Sequence, residues 1–168
     1  MAPGRQHRGT PRGSRRREKH GWLRIDRYQA IHEGALERHA FVVADDTTFT
    51  RLRDDGIVSY LLEGLIHCAG GIEIDVTKLL AVRVSRRLEQ VRGLSYRYNA
   101  HVRGGYNILR YDNGHIATPD EFHRHAFDPL TGIERSRTTF DRDRMPTLIE
   151  MVSEVEQLAR DAGLLGSD

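Results

Sequence analysis

A run of strict alternation constrains this chain more than any other feature. Ile72, Ile74, Val76, Leu80, Val82 and Val84 alternate with Glu73, Asp75, Thr77, Ala81 and Arg83. A two-residue period is the side-chain period of a β-strand, so the segment buries one face and wets the other, with a bend near Lys78. The preceding residues 57–68 are ambiguous. Ile57, Tyr60, Leu61, Gly64, Leu65 and Cys68 fit a helix, whereas Val58, Tyr60, Leu62, Gly64, Ile66 and Cys68 fit one strand face. The Gly70-Gly71 pair tolerates positive φ and signals a hairpin, which favours the strand.

The same period returns downstream. Residues 85–93 read as a charged connection. Leu94, Tyr96, Tyr98, Ala100 and Val102 then alternate with Ser95, Arg97, Asn99 and His101. Gly104-Gly105 turns the chain, and Tyr106, Ile108, Arg110 and Asp112 alternate with Asn107, Leu109 and Tyr111. These segments read as an antiparallel meander. Residues 113–121 read as a loop and residues 122–127 (FHRHAF) as a further strand, followed by turn chemistry at Asp128-Pro129 and Thr131-Gly132.

Helical patterns flank the meander. Ile25, Tyr28, Ile31, Ala35, Leu36 and His39 share one face of a helix within residues 22–42, while residues 43–56 read as a loop or short helical piece. At the other end, Pro146 suits a first helical position. Leu148, Val152, Val155 and Ala159, beside Ile149 and Leu158, form an apolar stripe that Gly163 caps. The fold expected is α+β: an antiparallel sheet of four to five strands against a C-terminal helix, with an additional N-terminal helix and a disordered basic tail. The divisions are a tail at 1–20, a helical extension at 21–56 and an α+β domain at 57–163.

Charge is distributed unevenly. The 168 residues carry a net +2, yet residues 1–20 hold seven Lys/Arg and one Glu, so the remainder sums to −4. The tail reads either as a basic arm for nucleic-acid phosphates or as a solvated segment too poor in apolar side chains to order. Its composition is not that of a secretory signal, and no apolar run reaches membrane-spanning length, so a cytoplasmic protein is expected. The single cysteine, Cys68, excludes an internal disulfide and a multi-thiolate zinc site.

Chemistry concentrates between residues 97 and 125, where four of nine histidines lie. On a strand, His123 and His125 share a face, as do Arg110 and Asp112 on the strand before it. A hairpin would bring the two pairs together, with Arg124 pointing the other way. An imidazole pair supplies acid and base near neutrality, a guanidinium braces a phosphate, and a carboxylate fixes a histidine tautomer. The set suits metal-free cleavage of a phosphodiester, with His115 assisting from the loop and no cofactor. The bland alternatives are a solvated strand face for the histidines and a cross-strand salt bridge for Arg110 and Asp112. Two others stay open: a metal-dependent hydrolase using the same histidines, and a non-enzymatic nucleic-acid binder using the basic arm and the Tyr/Arg strand. Tyr96, Tyr98, Tyr106 and Tyr111 read first as core or sheet-surface aromatics; interleaved with arginines they also admit RNA stacking, and Tyr98, Arg97, Tyr111, Asn113 and Arg124 are the candidate substrate contacts. Glu73 and Asp75 read as solvated, because no second carboxylate set pairs with them.

The segments LSYRYNA (94–100), ILRYDNGH (108–115) and FHRH (122–125), followed by an amphipathic helix, resemble the TumE-like toxin family of prokaryotic toxin–antitoxin modules. Arg110, Tyr111, Asp112, Asn113, His115, His123 and His125 carry the likeness, which spans roughly residues 57–160. Residues 1–56 extend beyond the usual small toxin, and Arg124 stands where Lys is as common. The resemblance implies a small α+β toxin that is neutralised by a helix-turn-helix antitoxin. RNA-directed, ribonuclease-like activity is the hypothesis attached to it. RNA and the antitoxin are the expected partners, with no membrane, and self-association is left open.

Overall fold

The computed structural model describes residues 21–113 and 122–166. The basic tail expected at 1–20 and the loop carrying His115 lie outside them.

The chain is mostly β. In order, it forms β1 (Leu23–Arg24), α1 (Ile25–Leu36), β2 (Val42–Asp45), β3 (Thr48–Asp54), β4 (Ile57–Cys68), β5 (Ile72–Ser85), β6 (Leu88–Val102), β7 (Asn107–Asp112), β8 (Phe122–Phe127), β9 (Glu134–Phe140) and α2 (Leu148–Asp161). All nine strands join one sheet, ordered β2-β4-β5-β6-β7-β8-β9. β3 pairs the first half of β4 and β2 its end. On the far side of β6, β1 takes the first half and β7 the second. Every pairing is antiparallel.

This corrects the α+β expectation of four to five strands. The additional strands come from segments without a clean period. Residues 43–56, expected as a loop or short helical piece, hold most of β2 and all of β3, strands that lie largely exposed rather than over a core. Residues 88–93, expected as a charged connection, are the first part of β6. The chain reverses at Arg86 and Arg87, both at positive φ (51° and 65°), a two-residue turn without the usual glycine. β9 was not foreseen, since six of its seven residues are exposed and none alternates apolar with polar.

The three longest strands hold the core. Ile72, Ile74 and Val76 of β5 and Tyr96, Tyr98 and Ala100 of β6 face inward with Leu62 and Ile66 of β4. A bulge marks the bend. Leu79 pairs Ser95 but Leu80 pairs Gly93, so Leu94 is an extra residue. Beyond it the inward set of β6 changes from even to odd positions, which buries Val91 and exposes Leu94. At Gly64, φ is +143° and an added Cβ would sit 2.4 Å from the Asp46 carbonyl oxygen. The β2–β3 turn crosses β4 at that point, and only glycine leaves room for it.

α2 closes the apolar face with Leu148, Met151, Val152, Val155 and Ala159. It begins in a capping box. Glu150 N donates to Thr147 Oγ1 at 3.3 Å, and Thr147 N donates to Glu150 Oε2 at 2.7 Å. Pro146 therefore stands one residue before the cap rather than at the first helical position. α1 buries only Leu36 fully, and Ile31, expected on its inward face, is half exposed. Among the described residues, no helix is long and apolar enough to cross a membrane.

Candidate functional site

The register of β7 and β8 decides what meets on the face opposite the helices. Arg110 lies across from His125 and Asp112 across from His123. Ladder partners share a face, so the four side chains converge. Arg110 Nη2 is 3.3 Å from His125 Nε2, and Arg110 Nε is 2.7 Å from Asp112 Oδ2. The two imidazole centroids are 6.1 Å apart. His123 is 1% exposed and His125 4% exposed; Asp112 is also buried. The Arg110 side chain, at 36% exposure, reaches solvent from this group.

β9 adds two residues that the sequence did not reveal. Glu134 Oε1 lies 3.3 Å from His125 Nδ1, and Arg137 Nη2 lies 3.4 Å from His123 Nδ1. A carboxylate accepts only, so His125 carries its proton on Nδ1 and turns the lone pair of Nε2 toward Arg110. A guanidinium donates only, so the His123 proton sits on Nε2. Asp112 was expected to orient a histidine. It lies 3.9 Å from His125 Nε2 and 2.7 Å from Arg110 Nε, and Glu134 is a second carboxylate at the His125 ring. Burial and the adjacent Arg110 guanidinium depress the His125 pKa below the ordinary imidazole value.

The expected substrate contacts divide between the two faces. Arg97 is exposed on the same face as the histidines, opposite Asp112 in the ladder. Tyr98 and Tyr111 are buried on the helix-covered face. The Tyr111 hydroxyl donates to Glu154 of α2 at 2.7 Å, and Arg124 Nε donates to the same carboxylate at 2.8 Å. These three tie the sheet to α2 and are turned away from the imidazoles. Asn113 accepts from Tyr96 N at 2.8 Å and donates to the Leu94 carbonyl at 3.2 Å, which stitches the end of β7 to β6.

Further along the same polar face is a second charged group. Glu73 accepts from Arg103 Nε at 2.6 Å and stands within ion-pair distance of His67 and His101. His101 also faces Asp75. The expectation of a merely solvated Glu73 is corrected: the guanidinium of Arg103 holds its carboxyl below the usual range. Among the described residues, no group of three His, Cys, Asp or Glu side chains converges as metal ligands.

No protein-family model matches the chain, and neither a curated protein nor a solved structure matches it.

Proposed function

We propose that this protein is an RNA-cleaving toxin of a toxin–antitoxin module, acting through Arg110, His123 and His125. One observation carries the reading. A guanidinium, a carboxylate and two imidazoles with complementary proton positions meet on adjacent strands. The resemblance of residues 94–125 to TumE-like toxins, carried by the same residues, is in keeping with it.

The roles follow from the hydrogen bonds. His125, neutral and held through Nδ1 by Glu134, takes the 2′-hydroxyl proton of RNA on Nε2. The 2′-oxygen attacks phosphorus, and the bond to the 5′-oxygen breaks. His123 delivers the proton on its Nε2 to that departing oxygen and takes one from solvent on Nδ1 as the phosphate draws Arg137 away. The products are a 2′,3′-cyclic phosphate and a 5′-hydroxyl. Arg110, held by Asp112 and reaching solvent, binds the phosphate and offsets the charge that builds on its oxygens. Tyr98 and Tyr111 lie on the face covered by α2, away from Arg110 and the imidazoles, which argues against a purely binding protein that stacks bases on those rings.

The test is cleavage of a generic RNA by the full chain in chelator, with cyclic-phosphate ends identified by mass spectrometry. Cleavage lost in both Arg110→Ala and His125→Ala supports the assignment. Equal cleavage by either variant and the parent protein overturns it.

A further inference from the structure

On the other face of the sheet, a cavity of about 170 Å³ lies between α1, the middle of β6 and the start of α2. Its body is apolar: Leu23, Ala35, Leu36, Leu62, Phe122 and Leu148 line it. Its charge is one-sided. Lys78 and Arg92 are on its wall, with Arg142 engaged over the Phe122 ring, and the described lining includes neither Asp nor Glu. Yet residues 21–168 together carry net negative charge.

Lys78 is the anomaly. It follows Ile72, Ile74 and Val76 on the inward side of β5, at a position where an apolar side chain would be expected. Gly93 makes room for it: a Cβ there would sit 3.1 Å from Lys78 Cε. The ammonium lies 5.4 Å from the Tyr28 ring centre and interacts with the Tyr28 and Tyr98 hydroxyls. Among the described residues it has no carboxylate partner. The two hydroxyls outweigh the effect of burial and hold the Lys78 pKa above its ordinary value, so the side chain stays charged at the cavity wall, where an anion would supply a counter-charge.

Two further polar atoms lack partners. Tyr96 lines the cavity at 4% exposure, and its hydroxyl makes no hydrogen bond within the described structure. Burial keeps that phenol protonated, with Tyr98, Asp112 and Tyr111 adding to the effect, so it remains a donor. Arg92 Nε is likewise buried and unbonded, while the guanidinium stacks on Trp22. Buried polar groups are ordinarily satisfied, so the Tyr96 hydroxyl and Arg92 Nε, unbonded among the described residues and beside a cation with no carboxylate partner there, leave a place for an acceptor.

We infer that this cavity binds a small monocarboxylate with a compact apolar body, its carboxylate on Lys78 and its body among the leucines and Phe122. A cavity of about 150 Å³ accommodates one benzene ring, which sets the size of that body. The site is distinct from the histidine cluster and is tested without reference to RNA.

Calorimetric titration of the full chain with 3-phenylpropanoate and with the uncharged 3-phenylpropanamide reads the inference directly. The carboxylate is expected to bind about tenfold tighter than the amide, the usual worth of a charge-assisted hydrogen bond. Lys78→Met should abolish that preference, and Tyr96→Phe should weaken the carboxylate severalfold. Ala35→Trp, which fills the cavity, should remove binding of both ligands, and thermal melts would report whether each variant folds. Equal affinity for the two ligands, or no binding of either at millimolar concentration, overturns the inference. Because that comparison uses the parent protein, it stands even if a variant fails to fold.

Discussion

Arg110 stands directly across the β7–β8 ladder from His125, its Nη2 3.3 Å from the imidazole Nε2. This pairing joins a partly exposed cation to a buried base. If the proposed chemistry holds, Arg110→Ala and His125→Ala should each lower RNA cleavage about 10²- to 10⁴-fold. Arg110→Lys should recover only part of it, since an ammonium cannot hold Asp112 and a phosphate in one plane. Single-turnover rates on a labelled RNA measure both effects. Glu134→Gln should be milder and should change the pH profile, because it acts through His125.

Stability should fall on mild acidification. Burial lowers the pKa of His32, with Lys78 adding to the effect, and burial with Arg110 lowers that of His125. Both rings fold neutral, and the unfolded chain binds protons more readily. Stability is therefore fully present above the unfolded value of about 6.5 and is lost as pH falls below it toward the depressed folded values. Urea denaturation at pH 8, 6.5 and 5 should show this decline. His32→Gln or His125→Gln should flatten it.

Gly64→Ala should cost about 2 kcal/mol or more, because its φ suits glycine and the new methyl would strike the Asp46 backbone. Gly71→Ala, also at positive φ but with open space around it, should cost about 1 kcal/mol. Comparing the two by chemical denaturation separates steric overlap from backbone strain.

Thr147→Ala removes the side-chain half of the capping box and should destabilise the protein by about 1 kcal/mol. Thr147→Ser should restore most of this, as read from denaturation midpoints.

Cys68 is buried, and burial, with the Glu156 carboxylate contributing, pushes its thiol up to about 12. Iodoacetamide at pH 8 should therefore leave it unmodified in the folded protein and alkylate it at the rate of unfolding in denaturant. Mass spectrometry over time distinguishes this from direct reaction.

Much of the sheet was legible where one face is buried. β5 and the second half of β6 alternate because each inward residue meets the core and each outward one meets water. The alternation of β7 and β8 puts Arg110, Asp112, His123 and His125 on one face. Other parts carried no such signal. β2, β3 and β9 are largely exposed, so their sequences follow solubility rather than a period, and Glu134 and Arg137 went unseen with β9. The bulge at Leu94 hid the first half of β6, since the inserted residue reverses which positions face inward. Tyr98, Tyr111 and Arg124 looked like contacts for RNA because polar groups on aromatic and guanidinium side chains resemble binding chemistry. In the fold those groups are taken up by Lys78 and Glu154. Lys78 was visible as a break in the β5 pattern, read as a bend rather than as a cation placed inside.

Phe122 lines the cavity, and His123, the next residue, faces the polar cluster. One layer of backbone separates two chemically opposite surfaces. Point substitutions can tune either surface alone, but a one-residue slip of β8 would exchange them together, sending imidazoles into oil and a phenyl ring toward water. In any descendant of this chain, insertions near β8 should be confined to its ends, and the histidine spacing should change only if the aromatic spacing changes with it.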